Sequence, residues 1–153
     1  MDKFDRAVST YMKLCDVLDE QGWHYQKHDE RLTVTLTVTG DDIPMFFIIR
    51  VAESSESLTI ISPMEICFPE DKRTEGAIAV AAASFGSVGS FDYDLTNGRV
   101  AFRMSERFTD REISAELIKN LIHFSVEVTD QYNDMFLALA KGYMDITAFI
   151  EKA

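Results

Sequence analysis

The stretch "SFDYDLTNGRVAFRM", residues 90 to 104, decides how this chain folds. Its Asn97-Gly98 pair is the strongest short-range signal for a β-hairpin, because a two-residue turn of the primed type needs positive φ at both positions. Folding about that pair predicts a register. Thr96 faces Arg99, Leu95 faces Val100, Tyr93 faces Phe102 and Phe91 faces Met104, with Asp94 opposite Ala101 and Asp92 opposite Arg103. The apolar residues then share one face. Asp92, Asp94, Arg99 and Arg103 read as a solvated polar face, whose ion pairs are worth about 0.2 to 1 kcal/mol each. An acid/base site would need a concave, desolvated setting that a hairpin of this kind does not supply.

Upstream, "LTVTLTV" at 32 to 38 alternates Leu32, Val34, Leu36 and Val38 with threonines, the pattern of a strand with one buried face. "WHYQKH" begins an extended segment before it, and Gly40, Asp41 and Asp42 form the turn after it. In "IPMFFIIRV", 43 to 51, Met45, Phe47 and Ile49 fall on one face while Phe46 and Ile48 fall on the other. Such a strand is either covered on both sides or left half exposed to a partner. "ESSES" at 53 to 57 is a polar turn and "LTIIS" the strand that follows.

Helices flank these strands. Phe4, Val8, Tyr11, Cys15 and Leu18, widened by Ala7 and Leu14, recur at intervals of three and four over residues 2 to 20, and Gly22 stops that helix. Pro69, the charged "EDKRTEG" and the small-residue run "AIAVAAAS" predict a second helix that sits close to the sheet and ends at Gly86 to Gly89. A long helix is expected from Thr109, capped by Thr109 with Glu112 or by Ser114, with Leu117, Leu121, Phe124, Val128, Tyr132, Met135 and Leu139 as its stripe. Gly142 breaks it, and Asp145 caps a last short helix holding Ile146, Phe149 and Ile150.

The bulk numbers set limits on function. A chain of 153 residues, 46% hydrophobic, is long enough for one domain spanning 1–153. A net charge of −11 argues against nucleic acid and against anionic membrane surfaces, since both are bound through Lys and Arg. Cys15 and Cys67 match neither a disulfide framework nor a metal-binding spacing, which points to reduced core thiols and a cytoplasmic protein. The charged N-terminus shows neither a secretion signal nor a membrane span.

The order of elements, together with "DEQGWHYQ" at 19 to 26, "FFIIRV" at 46 to 51, "ISPMEICFPEDKR" at 61 to 73, "GSFDYDLTNGRVAFR" at 89 to 103 and "DQYNDMFLALAKG" at 130 to 142, resembles the YbjN family of bacterial proteins. The resemblance covers about residues 19 to 150 and lies in the order and spacing of the stretches, none of which is diagnostic alone. It implies an α+β fold like that of type III secretion chaperones and a loose link to bacterial regulation and stress. It supplies no catalytic residues. "FTDREIS" at 108 to 114 departs from the family pattern, and residues 1 to 18 have no clear counterpart in it.

Other candidate chemistry gives way to plainer readings. His24 and His28 sit in an extended segment, where four residues span about 13 Å, too far for one ion. His123 lies on a distant helix. Cys15 and Cys67 lack a paired base and read as core. Asp130 and Asp134 have no Glu-x-x-His companion and read as a solvated helix face. "GSVG" at 86 to 89 lacks the Lys-Ser/Thr ending of a phosphate loop. No catalytic, cofactor or metal residues are therefore assigned.

The expected fold is α+β, an antiparallel sheet of about five to six strands with helices packed on it in the order α-β-β-β-β-α-β-β-α. The expected function is a non-catalytic protein-binding module, a homodimer or the holder of a protein client. Its candidate interface is Phe46, Ile48 and Ile61, which face water if every helix lies on the other side of the sheet and are core if a terminal helix covers them. Acidic surroundings would favour basic or unfolded clients. The alternatives are a small-molecule sensor or unrecognised enzyme with a pocket between helix and sheet, and a dedicated type III secretion chaperone.

Overall fold

Alternating apolar residues give each strand one face that must leave water, and in this chain the first three helices cover that face while the last packs on the second and third. The computed structural model describes residues 1–41, 43–85, 89–109 and 111–153. Helix α1 spans Lys3–Glu20, followed by strands β1 (Gln26–His28), β2 (Thr33–Thr39), β3 (Pro44–Ala52) and β4 (Ser57–Cys67). Helix α2 (Arg73–Phe85), strands β5 (Ser90–Asp94) and β6 (Arg99–Arg107), and helices α3 (Ala115–Lys141) and α4 (Ile146–Lys152) complete the order. The strands form a six-stranded sheet in the order β1-β2-β3-β4-β6-β5, antiparallel at each pairing. The α+β class, the strand number and the element order are as the sequence predicts, the short helix after Gly142 included.

Val34, Leu36, Met45, Phe47, Ile49, Leu58 and Ile60 bury the covered face against α1 and the start of α3. Phe91, Val100, Phe102 and Met104 bury it against α2, α4 and the second half of α3. Leu121 packs against both groups, so α3 is the spine that joins them. Each large apolar side chain removed from water in this way contributes about 1.5 to 3 kcal/mol before entropy is counted. Gly76 allows α2 its close approach: a Cβ there would stand 2.5 Å from the Tyr93 hydroxyl and 2.8 Å from the Phe68 ring.

The structure corrects the hairpin register. Asp94 pairs with Arg99, Tyr93 with Val100, Asp92 with Ala101, Phe91 with Phe102 and Ser90 with Arg103. The loop is therefore Leu95–Gly98, not Asn97-Gly98 alone. The Asp94 carboxylate makes it, accepting from the Thr96 amide at 2.9 Å and the Thr96 hydroxyl at 2.6 Å. These bonds hold the Asp94 carboxyl below its ordinary range. A slip of two residues keeps every side chain on its predicted face. Leu95 alone leaves the apolar set and is exposed.

The long helix starts later than Thr109. Phe108 and Ile113 are both buried ahead of the helix, and Ser114 caps α3 by accepting from the Leu117 amide at 3.1 Å. Glu112 turns to Ser9 and Lys13 on α1 instead of capping. The buried stripe of α3 is Ile118, Ile122, Ser125, Val128, Thr129, Tyr132, Asn133, Phe136 and Leu139, so predicted Leu117, Leu121, Phe124 and Met135 lie at its margin. In α1 the stripe runs through Ala7, Tyr11, Leu14 and Leu18, and Phe4 stands exposed beside it. Gly142 in the left-handed region and the Asp145 cap fall where predicted. Asp42, Gly86 and Asp110, to which the turn, helix-stop and "FTDREIS" readings extend, lie outside the described residues.

Candidate functional site

With the helices on one side, the other side of the sheet lacks a cover among the described residues. Ile48 pairs directly with Ile61 at its centre, and Phe46 sits opposite Thr37 one step along β3. Phe46 is 41% exposed, Ile48 and Ile61 are half-buried, and none of the three belongs to either core cluster. Among the described residues no helix packs on them. Pro63 and Ala101, paired across β4 and β6, extend the apolar surface. Thr35 and Thr37 border it on β2, and Arg103 stands beside Ile61. Arg50, exposed on β3, pairs with Thr59 next along the same face. The patch is therefore rimmed by threonines and two arginines, whatever the acidity of the whole chain.

At one end of this face the sheet comes apart. The β3–β4 ladder ends at the Ile48–Ile61 pair, and the β4–β6 register shifts between Pro63 and Cys67. The Ser62 hydroxyl bridges the opening, donating to the Phe46 carbonyl at 2.8 Å. Beyond it lies a slot of about 260 Å³, walled by Phe46, Pro63, Met64 and Ile66, with Arg99 and Glu65 also lining it. Its floor is α3, through Thr129 and Asn133. These side chains are 1% and 3% exposed, and the Thr129 hydroxyl and both amide atoms of Asn133 have no hydrogen-bond partner among the described residues.

The polar residues singled out in the sequence take structural places. Arg103 Nε donates to Asp92 Oδ2 at 2.8 Å, a diagonal contact across the hairpin with both side chains about half exposed. Asp130 accepts from the Asp41 amide at 3.1 Å and so pins the β2–β3 turn to α3, while Asp134 is exposed. His28 Nε2 lies 3.3 Å from the Thr35 hydroxyl, and His123 stacks edge-on with Trp23 at 5.9 Å. Among the described residues no group of three or more His, Cys, Asp or Glu is placed to hold a metal ion. Cys15 is buried and Cys67 exposed, which corrects the reading of Cys67 as core: it ends β4 on the outward side, its thiol donating to the Asn97 carbonyl.

Sequence reasoning missed Thr129 and Asn133. The signal was there, because Ser125, Thr129 and Asn133 repeat every four residues inside an apolar stripe and form a polar seam on the buried side of α3. The neighbouring Asp130 and Asp134 have the same spacing and stronger chemistry, and drew the reading to the wrong side of the helix.

No protein-family model matches this chain, and no curated protein matches it. Solved structures do. A chain of the ExsC-ExsE complex superposes with a TM-score of 0.61 at 11% identity, covering 90% of this chain and 98% of that one. A chain of the HopA1-SchA chaperone-effector complex gives 0.55 at 14% identity, covering 88% and 98%. YbjN from E. coli, described as a candidate transcription regulator, gives 0.58 at 13% identity, covering 87% and 92%. The fold is that of the type III secretion chaperones and of YbjN. At these identities the likeness is one of fold alone. No helix among the described residues is long and apolar enough to cross a membrane.

Proposed function

We propose that this chain is a YbjN-like, non-catalytic protein-binding module, one domain that works in the bacterial cytoplasm and holds a protein segment, or a second copy of itself, on the open face of its sheet. The observation that carries the reading is the Phe46, Ile48 and Ile61 patch, apolar and left outside both core clusters by helices that all lie on the other face. Contiguous apolar surface in a charged, soluble domain usually marks a contact. The structural neighbours lend support, since two of them come from complexes of two proteins, one of these named a chaperone-effector complex. The reading makes recognition mainly apolar, with Arg50 setting which charges the client carries at the rim, since Arg103 is already paired with Asp92.

The test is capture from native lysate with the tagged protein beside its Phe46→Asp form, together with sedimentation of each alone. Phe46 points away from the core, so the variant folds. A specific partner, or a dimer, held by the parent protein and lost by the variant is expected. Equal behaviour of two folded proteins would remove the sheet face from consideration.

A further inference from the structure

The slot at the end of the β3–β4 ladder carries a narrower inference, which rests on the protein-binding reading. Asn133 offers a donor and an acceptor side by side, and Thr129, one turn earlier, offers a hydroxyl that serves as either. All three groups are buried without partners among the described residues. A threonine on a helix can satisfy itself by turning back onto the carbonyl four residues before it, as Ser125 does onto Leu121 at 2.8 Å. Thr129 does not, and is left lining the slot with Asn133. Buried polar groups are nearly always paired, so two unpaired side chains side by side on the floor of the slot indicate a missing partner.

We infer that the slot receives the carboxamide side chain of a glutamine or asparagine from an extended peptide lying across the open face. The chemistry matches in three respects. A carboxamide is the neutral group that answers a donor and an acceptor in one plane, pairing with Asn133 as amide with amide. Its methylene stem suits walls made by Phe46, Pro63, Met64 and Ile66. A carboxylate would find the Asn133 acceptor opposed to it, with Glu65 offsetting the Arg99 charge on the same lining, and a thioether, a weak acceptor only, would leave the Asn133 carbonyl without a donor. The peptide is favoured over a free amide by position, because Phe46 and Pro63 belong both to the slot and to the apolar face. A chain held on that face passes the opening.

The experiment follows the Asn133 side-chain amide by NMR in the full chain, together with the Ile48 backbone amide on the open face, which remains as a readout in every variant. Three short blocked peptides of alternating Thr and Val are titrated, with Gln, Glu or Met at the centre, and then propionamide as the free amide. The Gln peptide is expected to shift the Asn133 signal saturably and to bind about tenfold or more tightly than its Glu and Met counterparts. Thr129→Val and Asn133→Leu should erase that preference while leaving residual binding, and Phe46→Asp should weaken all the peptides together. The comparison among peptides on the unaltered protein holds even where a variant folds poorly. Equal binding of the three peptides, weakened by Phe46→Asp, would overturn the slot and leave the sheet face standing. A response to propionamide with none to any peptide would sink both the peptide and the face. No response at Asn133 to any probe, with Thr129→Val and Asn133→Leu more stable than the parent, would show the seam to be a solvated flaw in the core and end the proposal.

Discussion

Gly98 shows how much one residue decides here. Its φ is +75°, and a Cβ would stand 2.2 Å from the Phe68 carbonyl oxygen, because the hairpin loop is docked onto the end of β4 through the Phe68 amide and the Gly98 carbonyl at 2.9 Å. Gly22 has a similar φ of +72° with nothing within 4 Å of the same position. Gly22→Ala therefore meets only the left-handed penalty, about 1 kcal/mol, whereas Gly98→Ala adds a backbone collision and should cost about 2 to 4 kcal/mol. Urea midpoints of the two variants measure the difference, and equal midpoints would mean that the loop is not held against β4. The cysteines divide as sharply. Burial pushes the Cys15 thiol up and leaves it 7% exposed, while Cys67 is open to solvent. Iodoacetamide should modify Cys67 in the native protein and Cys15 only on unfolding, which mass spectrometry of the two peptides reads directly.

At the scale of elements, the hairpin explains both what the sequence could reveal and what it could not. Alternation assigned the faces of β5 and β6 correctly, since a two-residue slip leaves faces unchanged. The register itself depended on whether Asn97-Gly98 or the Asp94 carboxylate makes the turn; the Asp94–Thr96 bonds go with the longer loop, and a bond to Phe68, distant in sequence, docks it on the end of β4. The same limit hid Glu56. Read as part of a polar turn, it is 6% exposed with a φ of +47°, and its carboxylate is paired with Arg6 of α1, whose Nε donates to it at 3.2 Å. Its carbonyl accepts from the Phe108 amide at 2.8 Å, so one residue ties α1, the β3–β4 turn and the end of β6 together. The outward apolar patch was legible because Phe46, Ile48 and Ile61 break the alternation; the slot was not, because it needs a ladder to stop. Arg6→Ala should thus cost about 1 to 3 kcal/mol, and Arg103→Ala, which frees a half-exposed pair, under about 1 kcal/mol. Thermal melts of the two variants give the order, and its reversal would remove Glu56 from its structural role.

For the whole molecule, the attachment of α1 to the β1 edge sets a limit on alkaline stability. The Tyr11 hydroxyl donates to Asp29 at 2.8 Å, beside β1, and the Tyr25 hydroxyl donates to Asp19 of α1 at 2.8 Å. Burial first, and then these carboxylates, raise both phenols well above their ordinary value of 10.0. The sign follows from proton counting. The folded state keeps the phenolic protons more tightly than the unfolded chain does, so their contribution is complete below about pH 10 and drains as pH rises through the folded values. Stability to urea should be flat in this respect at neutral pH and fall steeply above about pH 10. The chain's −11 charge adds repulsion as lysines also lose protons there, so the slope alone does not identify the tyrosines. Tyr11→Phe and Tyr25→Phe separate the terms: each gives up a hydrogen bond at neutral pH, which lowers stability by about 1 kcal/mol, and each flattens the alkaline fall because no phenol is left to ionise. A double variant as steep as the parent above pH 10 would assign the loss to net charge and leave the α1 contacts without a part in it.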